Sequence, residues 1–422
     1  MSAVPRASAL APFRVRSFRF QWPADLCTSW AFEMETLILG WYVLVETRSV
    51  LMLTIYASMQ HLGTLLSPLF GVAGDRIGQR KLLSAMRGFY ALLAGAIMLL
   101  AFAGKLNPYA VLGIAALMGM VRPSDIGMRT ALTGETVPRA DLMSAMSVQR
   151  TTQDSAKIAG ALTGAGLVAA LGMGPAYAAV TALYVVSCAL TLQTGGRPPE
   201  DAPAAAQPAA PVQPQSPLRD LKEGFVYVWT TPYLLGTMML AFFLNMTAFP
   251  LFNGLQAYVV KAVYNADQAT LGAITACAAT GALAGSIFMT RYGSVLRPSR
   301  AGIYSAMVWF VVLFVYSRIE TPQWGMAVIF FAGVCQATGM ISIATVLLRN
   351  SDQKFRGRIM GVRMLAIYGN MPGILLAGFL IPRFGYQNVA LAYCLFGAAT
   401  TLAIVWRWRD VLWRADAPAN AL

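Results

Sequence analysis

Gly224–Val260 reads GFVYVWTTPYLLGTMMLAFFLNMTAFPLFNGLQAYVV and contains no Asp, Glu, Lys or Arg. A run of roughly 20 apolar residues is long enough to cross the hydrocarbon of a bilayer as a helix. Residues 268–290, 321–348 and 384–406 are equally free of those charges. So is 158–196, which is too long for one span; Gly172, Gly174 and Pro175 supply a turn that splits it. Over the whole chain 57% of residues are hydrophobic and 12% are charged. An ordinary soluble domain carries about 25% charged residues. The composition excludes a soluble fold and implies an all-α integral membrane protein.

Working outward from these runs gives twelve spans, near 20–45, 50–73, 84–104, 107–131, 142–170, 175–194, 232–254, 268–290, 301–317, 323–348, 359–381 and 387–406. The formal net charge of +14 does not indicate nucleic acid, because the basic residues sit in the short gaps between spans. One side of the membrane holds most of them, from Arg6, Arg14, Arg16 and Arg19 through Arg407, Arg409 and Arg414. The other side holds Arg48, Lys105, Lys261, Arg318 and Arg383. That asymmetry predicts a multi-pass protein of the cell inner membrane with both termini in the cytoplasm.

The arginines before the first span precede a long apolar segment without a cleavage site, so no cleavable signal peptide is expected. Residues 198–217 are rich in Pro and Ala and read as an extended linker. Leu218–Trp229 then reads as an amphipathic helix on the membrane surface, in contact with lipid. The expected organisation is a six-helix bundle over 1–195, a cytoplasmic linker over 196–230 and a second six-helix bundle over 231–422.

The halves repeat weakly. Gly71 and Gly285 end the second spans, and Thr130-Ala131-Leu132 and Thr345-Val346-Leu347 end the fourth, at spacings of 214 and 215 residues (285 − 71; 345 − 130). Two related halves about a midplane site is a common plan of secondary transporters. Cys27, Cys188, Cys277, Cys335 and Cys394 show no CxxC or Cys/His spacing. They are read as small packing residues, and neither a metal nor a cofactor is expected.

Between the second and third spans stands Gly71-Val72-Ala73-Gly74-Asp75-Arg76-Ile77-Gly78-Gln79-Arg80-Lys81. It resembles the GxxxDRxGRRK signature of the major facilitator superfamily, with Gln79 in place of one Arg. The resemblance implies two pseudo-symmetric six-helix bundles and a cytoplasmic latch made by Gly71, Asp75, Arg76, Gly78, Arg80 and Lys81, with Arg129 joining Asp75. In the second half Met289-Thr290-Arg291 stands where the acidic residue and Arg would be. Arg356-Gly357-Arg358-Ile359-Met360-Gly361, followed by Pro372-Gly373 and Gly378, is similar to the branch that includes the enterobactin exporter. Exporters usually carry Gly-Pro and paired glycines in the fifth span; here the run is Gly160-Ala161-Leu162-Thr163-Gly164-Ala165.

Charges inside spans are costly, at least about 2.5–3.5 kcal/mol each at the bilayer centre, and need a reason. Glu33 and Glu35 lie in the first span and point about 200° apart around the helix. A carboxylate removed from water favours its neutral form, so Glu33, Glu35 and Asp125 are the candidates for proton coupling. Asp25 is nearer the cytoplasm and expected to be wet. In the fourth span Arg122, Asp125 and Arg129 share a face, three and four residues apart; Arg122 is a candidate substrate residue. Asp154 and Lys157 are expected to pair, and His61 to sit within the second span as a packing residue. The family topology further implies Asn245, Gln336 and Tyr368 as lining of the substrate cavity.

These readings favour a monomeric secondary transporter that exports a small amphiphilic molecule, drug-like or siderophore, in exchange for protons. Uptake or uniport of a metabolite is the alternative. A primary pump would need a nucleotide site, and no GxxxxGK[ST] occurs. A lipid-modifying enzyme would need a catalytic constellation, and the single His61 has no carboxylate at helical spacing within its span.

Overall fold

The computed structural model describes residues 11–138, 141–195, 217–293, 295–349, 363 and 366–414. Among these residues the regular structure is helical, without strands. The helices are α1 Arg16–Thr47, α2 Val50–Met59, α3 Ser67–Ile77, α4 Gln79–Phe102, α5 Pro108–Thr136, α6 Leu142–Leu171 and α7 Met173–Leu192. They continue as α8 Pro217–Thr230, α9 Pro232–Phe249, α10 Gln268–Tyr292, α11 Pro298–Arg318, α12 Pro322–Arg349, α13 Asn370–Phe384, α14 Tyr386–Arg407 and α15 Arg409–Arg414. Beyond α9 the chain winds through two π-helical stretches, Pro250–Gly254 and Val259–Val263.

Among the described residues, eight helical segments are long and apolar enough to cross a membrane. The helices α1 and α6 have the length but are too polar to be among them, because they carry the charges described below.

Helix boundaries follow the local chemistry. Gly172, at φ 84°, is the single residue that separates α6 from α7, while Gly174 and Pro175 already belong to the first turn of α7. Asn107 starts α5: its Oδ1 accepts from the Ala110 N–H at 2.8 Å, with Pro108 in the first turn. Inside the helices, Ser and Thr hydroxyls bond back to carbonyls one turn earlier, as Thr28 does to Ala24 at 3.1 Å and Thr181 to Tyr177 at 2.8 Å. A hydroxyl without water finds its acceptor on its own helix.

The second span of the sequence reading is broken. After α2 come a turn and a 3₁₀ stretch, Leu62–Leu66, before α3 resumes. Gly63 lies against the Met120 backbone of α5, and Gly119 of α5 against the Met59 carbonyl, so any side chain at either glycine would collide with main chain.

By contacts the chain forms two compact units. The first comprises Met1–Leu39 and Met59–Pro214; the second comprises Gly40–Ser58 and Gln215–Leu422. In the first, α4 packs along α7; in the second, α10 packs along α12 and α12 along α11. Of the expected extended linker at 198–217, residues 198–216 lie outside the described residues and Pro217 begins α8. The expected surface helix is α8, on which Phe225 and Trp229 are exposed and stack at 5.8 Å.

Candidate functional site

Phe32, Glu35 and Thr36 share one face of α1, at i, i+3 and i+4. Opposite them, Arg122 projects from α5. Pro123 follows it and removes one rung of the α5 hydrogen-bond ladder beside the site. Arg122 Nη2 donates to Glu35 Oε2 at 2.7 Å, and Tyr184 of α7 donates to the same oxygen at 2.8 Å. Arg122 Nη2 also reaches the Tyr184 hydroxyl at 3.2 Å, and Nη1 donates to Gln60 Oε1 and to Thr36 at 3.4 Å. The guanidinium lies 3.4 Å from the Phe32 ring centroid. Glu35, Arg122 and Tyr184 are all buried.

Gln60 is supplied by the break after α2, and His61 lies in that turn, outside the helix in which the sequence reading placed it. Gln60 and Tyr184 are missing from the sequence reading. Both are polar residues inside apolar runs, which is the signal that could have found them.

A second buried network lies nearer the start of α1. Arg87 of α4, 0% exposed, ion-pairs with Asp25 Oδ1 and donates to the Thr191 hydroxyl. Asp25 Oδ2 accepts from Gln149 at 3.1 Å. Arg129 ion-pairs with Asp125 one turn away, donates to Ser29 at 2.7 Å and approaches Asp25 at 3.8 Å. Asp25 is 3% exposed, not wet as its position near the helix start suggests. Of the two arginines flanking Asp125, Arg129 takes the carboxylate, and Arg122 is drawn across to Glu35. Removing one member of such a buried pair leaves an uncompensated charge.

The crossing of α1 and α6 carries a third group of charges. Trp22 and Trp30 donate to Thr152 and Thr163, each at 2.8 Å, so the two helices run in the same direction. Gly160 and Gly164, four apart, bring the backbones together. A Cβ on Gly160 would lie 2.7 Å from Glu33 Cβ, and one on Gly164 would lie 3.0 Å from Met34 Cα. Glu33 is half-buried at this crossing, within the field of Lys157, Arg122 and Asp154. Asp154 pairs with Arg150, at 3.2 Å, and not with Lys157 as its spacing suggested.

The Gly71–Lys81 motif is less of a loop than its sequence implies. Residues 71–77 complete α3, Gly78 turns the chain at φ 95°, and Gln79 starts α4. Arg76, Gly78, Arg80 and Lys81 are exposed, and Arg80 donates to the Thr194 carbonyl at the end of α7 at 2.9 Å. The Asp75 side chain lies outside the described part of the structure, as do Arg356–Gly361. Arg129, expected beside Asp75, is held by Asp125 and Ser29.

In the second unit, Asn245 is buried and donates to Ala241 of its own helix at 2.8 Å. Gln336 is half-buried on α12, and Tyr368 lies in the turn before α13. Gln256, between the π-helical stretches, was not singled out by sequence; it accepts from Thr275 at 2.9 Å.

The family model of the Major Facilitator Superfamily matches residues 27–369 and 238–420. Among solved structures, the nucleoside transporter NupG aligns with a TM-score of 0.70 at 13% identity, covering 93% of this chain and 99% of that one. The POT family transporter PepTSo aligns with a TM-score of 0.70 at 12% identity, over 94% and 98% of the two chains. A D-xylose-proton symporter gives 0.68 at 11% identity, over 92% and 96%. These similarities establish the fold. No curated protein matches the sequence. The chain therefore belongs to the Major Facilitator Superfamily, and it is a secondary transporter rather than an enzyme.

Proposed function

We propose that this transporter exports a small amphiphilic molecule across the cell inner membrane in exchange for protons. It would work as a monomer of twelve spans with both termini in the cytoplasm. The six-helix bundles 1–195 and 231–422 would work by alternating access. The observation that carries coupling is the buried Glu35–Arg122 pair with Tyr184 on the same carboxylate oxygen.

A proton on Glu35 removes the charge that holds Arg122, and the guanidinium is then free to meet a substrate. Loss of the proton restores the pair. Substrate and the Glu35 carboxylate thus compete for one arginine, which couples substrate binding to the protonation of Glu35. Export in preference to uptake is supported by the resemblance of Arg356–Gly361, Pro372-Gly373 and Gly378 to the enterobactin-exporter branch. Latch roles for Asp75, Arg76, Arg80 and Lys81 are supported by their motif and by the Arg80 tie to the end of α7.

The test is flux of a panel of amphiphilic compounds from proteoliposomes, with and without a pH gradient. Glu35→Gln is expected to insert normally and to lose the gradient dependence, while Asp75→Asn slows flux without abolishing insertion. Gradient-driven flux that survives both Glu35→Gln and Glu33→Gln would sink proton coupling at the first helix. Wild-type flux in Asp75→Asn would sink the latch.

A further inference from the structure

Glu33 and Lys157 lie near the middles of α1 and α6, roughly 20 Å from either helix end at 1.5 Å per residue. The buried carboxylates on α1, α5 and α6 are committed: Glu35 to Arg122, Asp25 to Arg87, Asp125 to Arg129 and Asp154 to Arg150. Among the described residues Glu33 and Lys157 form no ion pair within 4.0 Å, although their charges act on each other. Lys157 is exposed at this depth, while Glu33 is half-buried against Gly160. An exposed ammonium at the middle of a membrane helix does not face hydrocarbon, because the charge is too costly there. On that ground Lys157 faces water or polar surroundings and not lipid tails.

We propose that Lys157 recognises an anionic group on the transported molecule, a carboxylate, sulfonate or phosphate, and that Glu33 is its built-in counter-ion. The inference rests on the transporter reading and adds to it a substrate class, amphiphilic anions. When the substrate anion takes the Lys157 ammonium, Glu33 keeps Arg122 of α5 as a more distant cation and faces Asp154 of α6 as a like charge. Glu35, two residues along α1, points away around the helix. A proton from water at Glu33 then balances the site. Anion at Lys157 and proton at Glu33 are linked, so each strengthens the binding of the other; that sign favours co-transport, so the pH dependence of anion binding also tests the exchange reading.

The test uses tetraphenylborate and tetraphenylphosphonium, lipophilic ions of matched shape and opposite charge, titrated as radiolabelled probes into the detergent-purified full chain. The wild type is expected to bind the borate more tightly. Lys157→Met weakens borate binding by roughly tenfold or more, as loss of a charge-assisted contact does. It leaves phosphonium binding unchanged or tighter, and Lys157→Arg restores the borate. Glu33→Gln tightens borate binding and flattens its pH dependence, a change that a merely structural role would not produce.

Preference of the wild type for phosphonium overturns the proposal. So does absence of borate binding, or equal loss of both ions in Lys157→Met. Flux measured on the same preparations separates the two readings. Active wild-type flux with unaltered borate affinity in Lys157→Met removes the anion site and leaves the transporter reading in place.

Discussion

Gly119 and Gly333 lie 214 residues apart (333 − 119), and each seats its helix on the main chain of a neighbour. A Cβ on Gly119 would meet the Met59 carbonyl; one on Gly333 would meet the Ala278 carbonyl. At the same spacing, Arg122 corresponds to Gln336 (336 − 122). Asp25, Glu35 and Arg87 likewise correspond to Met239, Phe249 and Ala301. The two halves keep one way of packing backbones and differ in what they bury. The first half encloses paired charges; the second fills the matching positions with apolar or neutral side chains. Backbone contact through glycine needs only that a side chain be absent, so it tolerates divergence around it. A buried ion pair needs both partners at once, and its loss in one half goes with loss of the whole set.

The largest effect should come from breaking the charged network. Arg87→Met leaves Asp25 buried beside the more distant Arg129 and is expected to cost about 3–5 kcal/mol, the usual result of orphaning one member of a buried pair. Thermal unfolding in detergent reads it. Arg87→Gln combined with Asp25→Asn should recover part of the loss, because no charge is then stranded. An unchanged Arg87→Met melting curve would mean that the network does not support the first half.

Transplanting the charge sharpens the contrast. Gln336→Arg places a guanidinium where no carboxylate stands at the Glu35-equivalent Phe249. It is expected to lower stability by about 2.5–3.5 kcal/mol. Adding Phe249→Glu should return a measurable part of this if the second half still holds the geometry of the first. No recovery would show that the likeness ends at the backbone. The shared feature has its own test: Gly119→Ala and Gly333→Ala should each cost about 1–3 kcal/mol through overpacking. A cost confined to one of them would break the correspondence.

The difference between the halves also explains what sequence could show. Spans were legible because an uncharged run such as 268–290 has one physical use, and the split at Gly172 because a lone glycine takes a positive φ without strain. Pairs within one helix were partly legible: Asp125 and Arg129 meet as their spacing implies, while Asp154 found Arg150 one turn back instead of Lys157. Pairs between helices were not. Asp25 with Arg87 and Glu35 with Arg122 are 62 and 87 residues apart, and helical periodicity carries no information across such distances. The break after α2 was missed although Gln60, His61 and Gly63 mark it, because these residues read as part of one span; in the fold Gly63 lies against the main chain of α5.

The smallest effect lies where the second helix of each half begins. Met52 N–H donates to Ser49 Oγ at 3.4 Å before α2, whereas Thr270 N–H donates to Asp267 Oδ1 at 2.9 Å before α10. One cap is neutral and the other is charged. The Thr270 backbone N–H, and then its hydroxyl, hold the Asp267 carboxyl below its ordinary range. Because the folded-state value is depressed, this stabilisation is complete above the unfolded carboxylate's titration and fades as pH falls through the folded one. Asp267→Ala is expected to cost about 1 kcal/mol at neutral pH and to converge with the wild type in acid. Asp267→Asn should keep most of the cap and lose the pH dependence, behaving like Ser49. A pH-independent gap between Asp267→Ala and the wild type would show that the charge of Asp267 adds nothing to its hydrogen bonds, and that the two caps are equivalent.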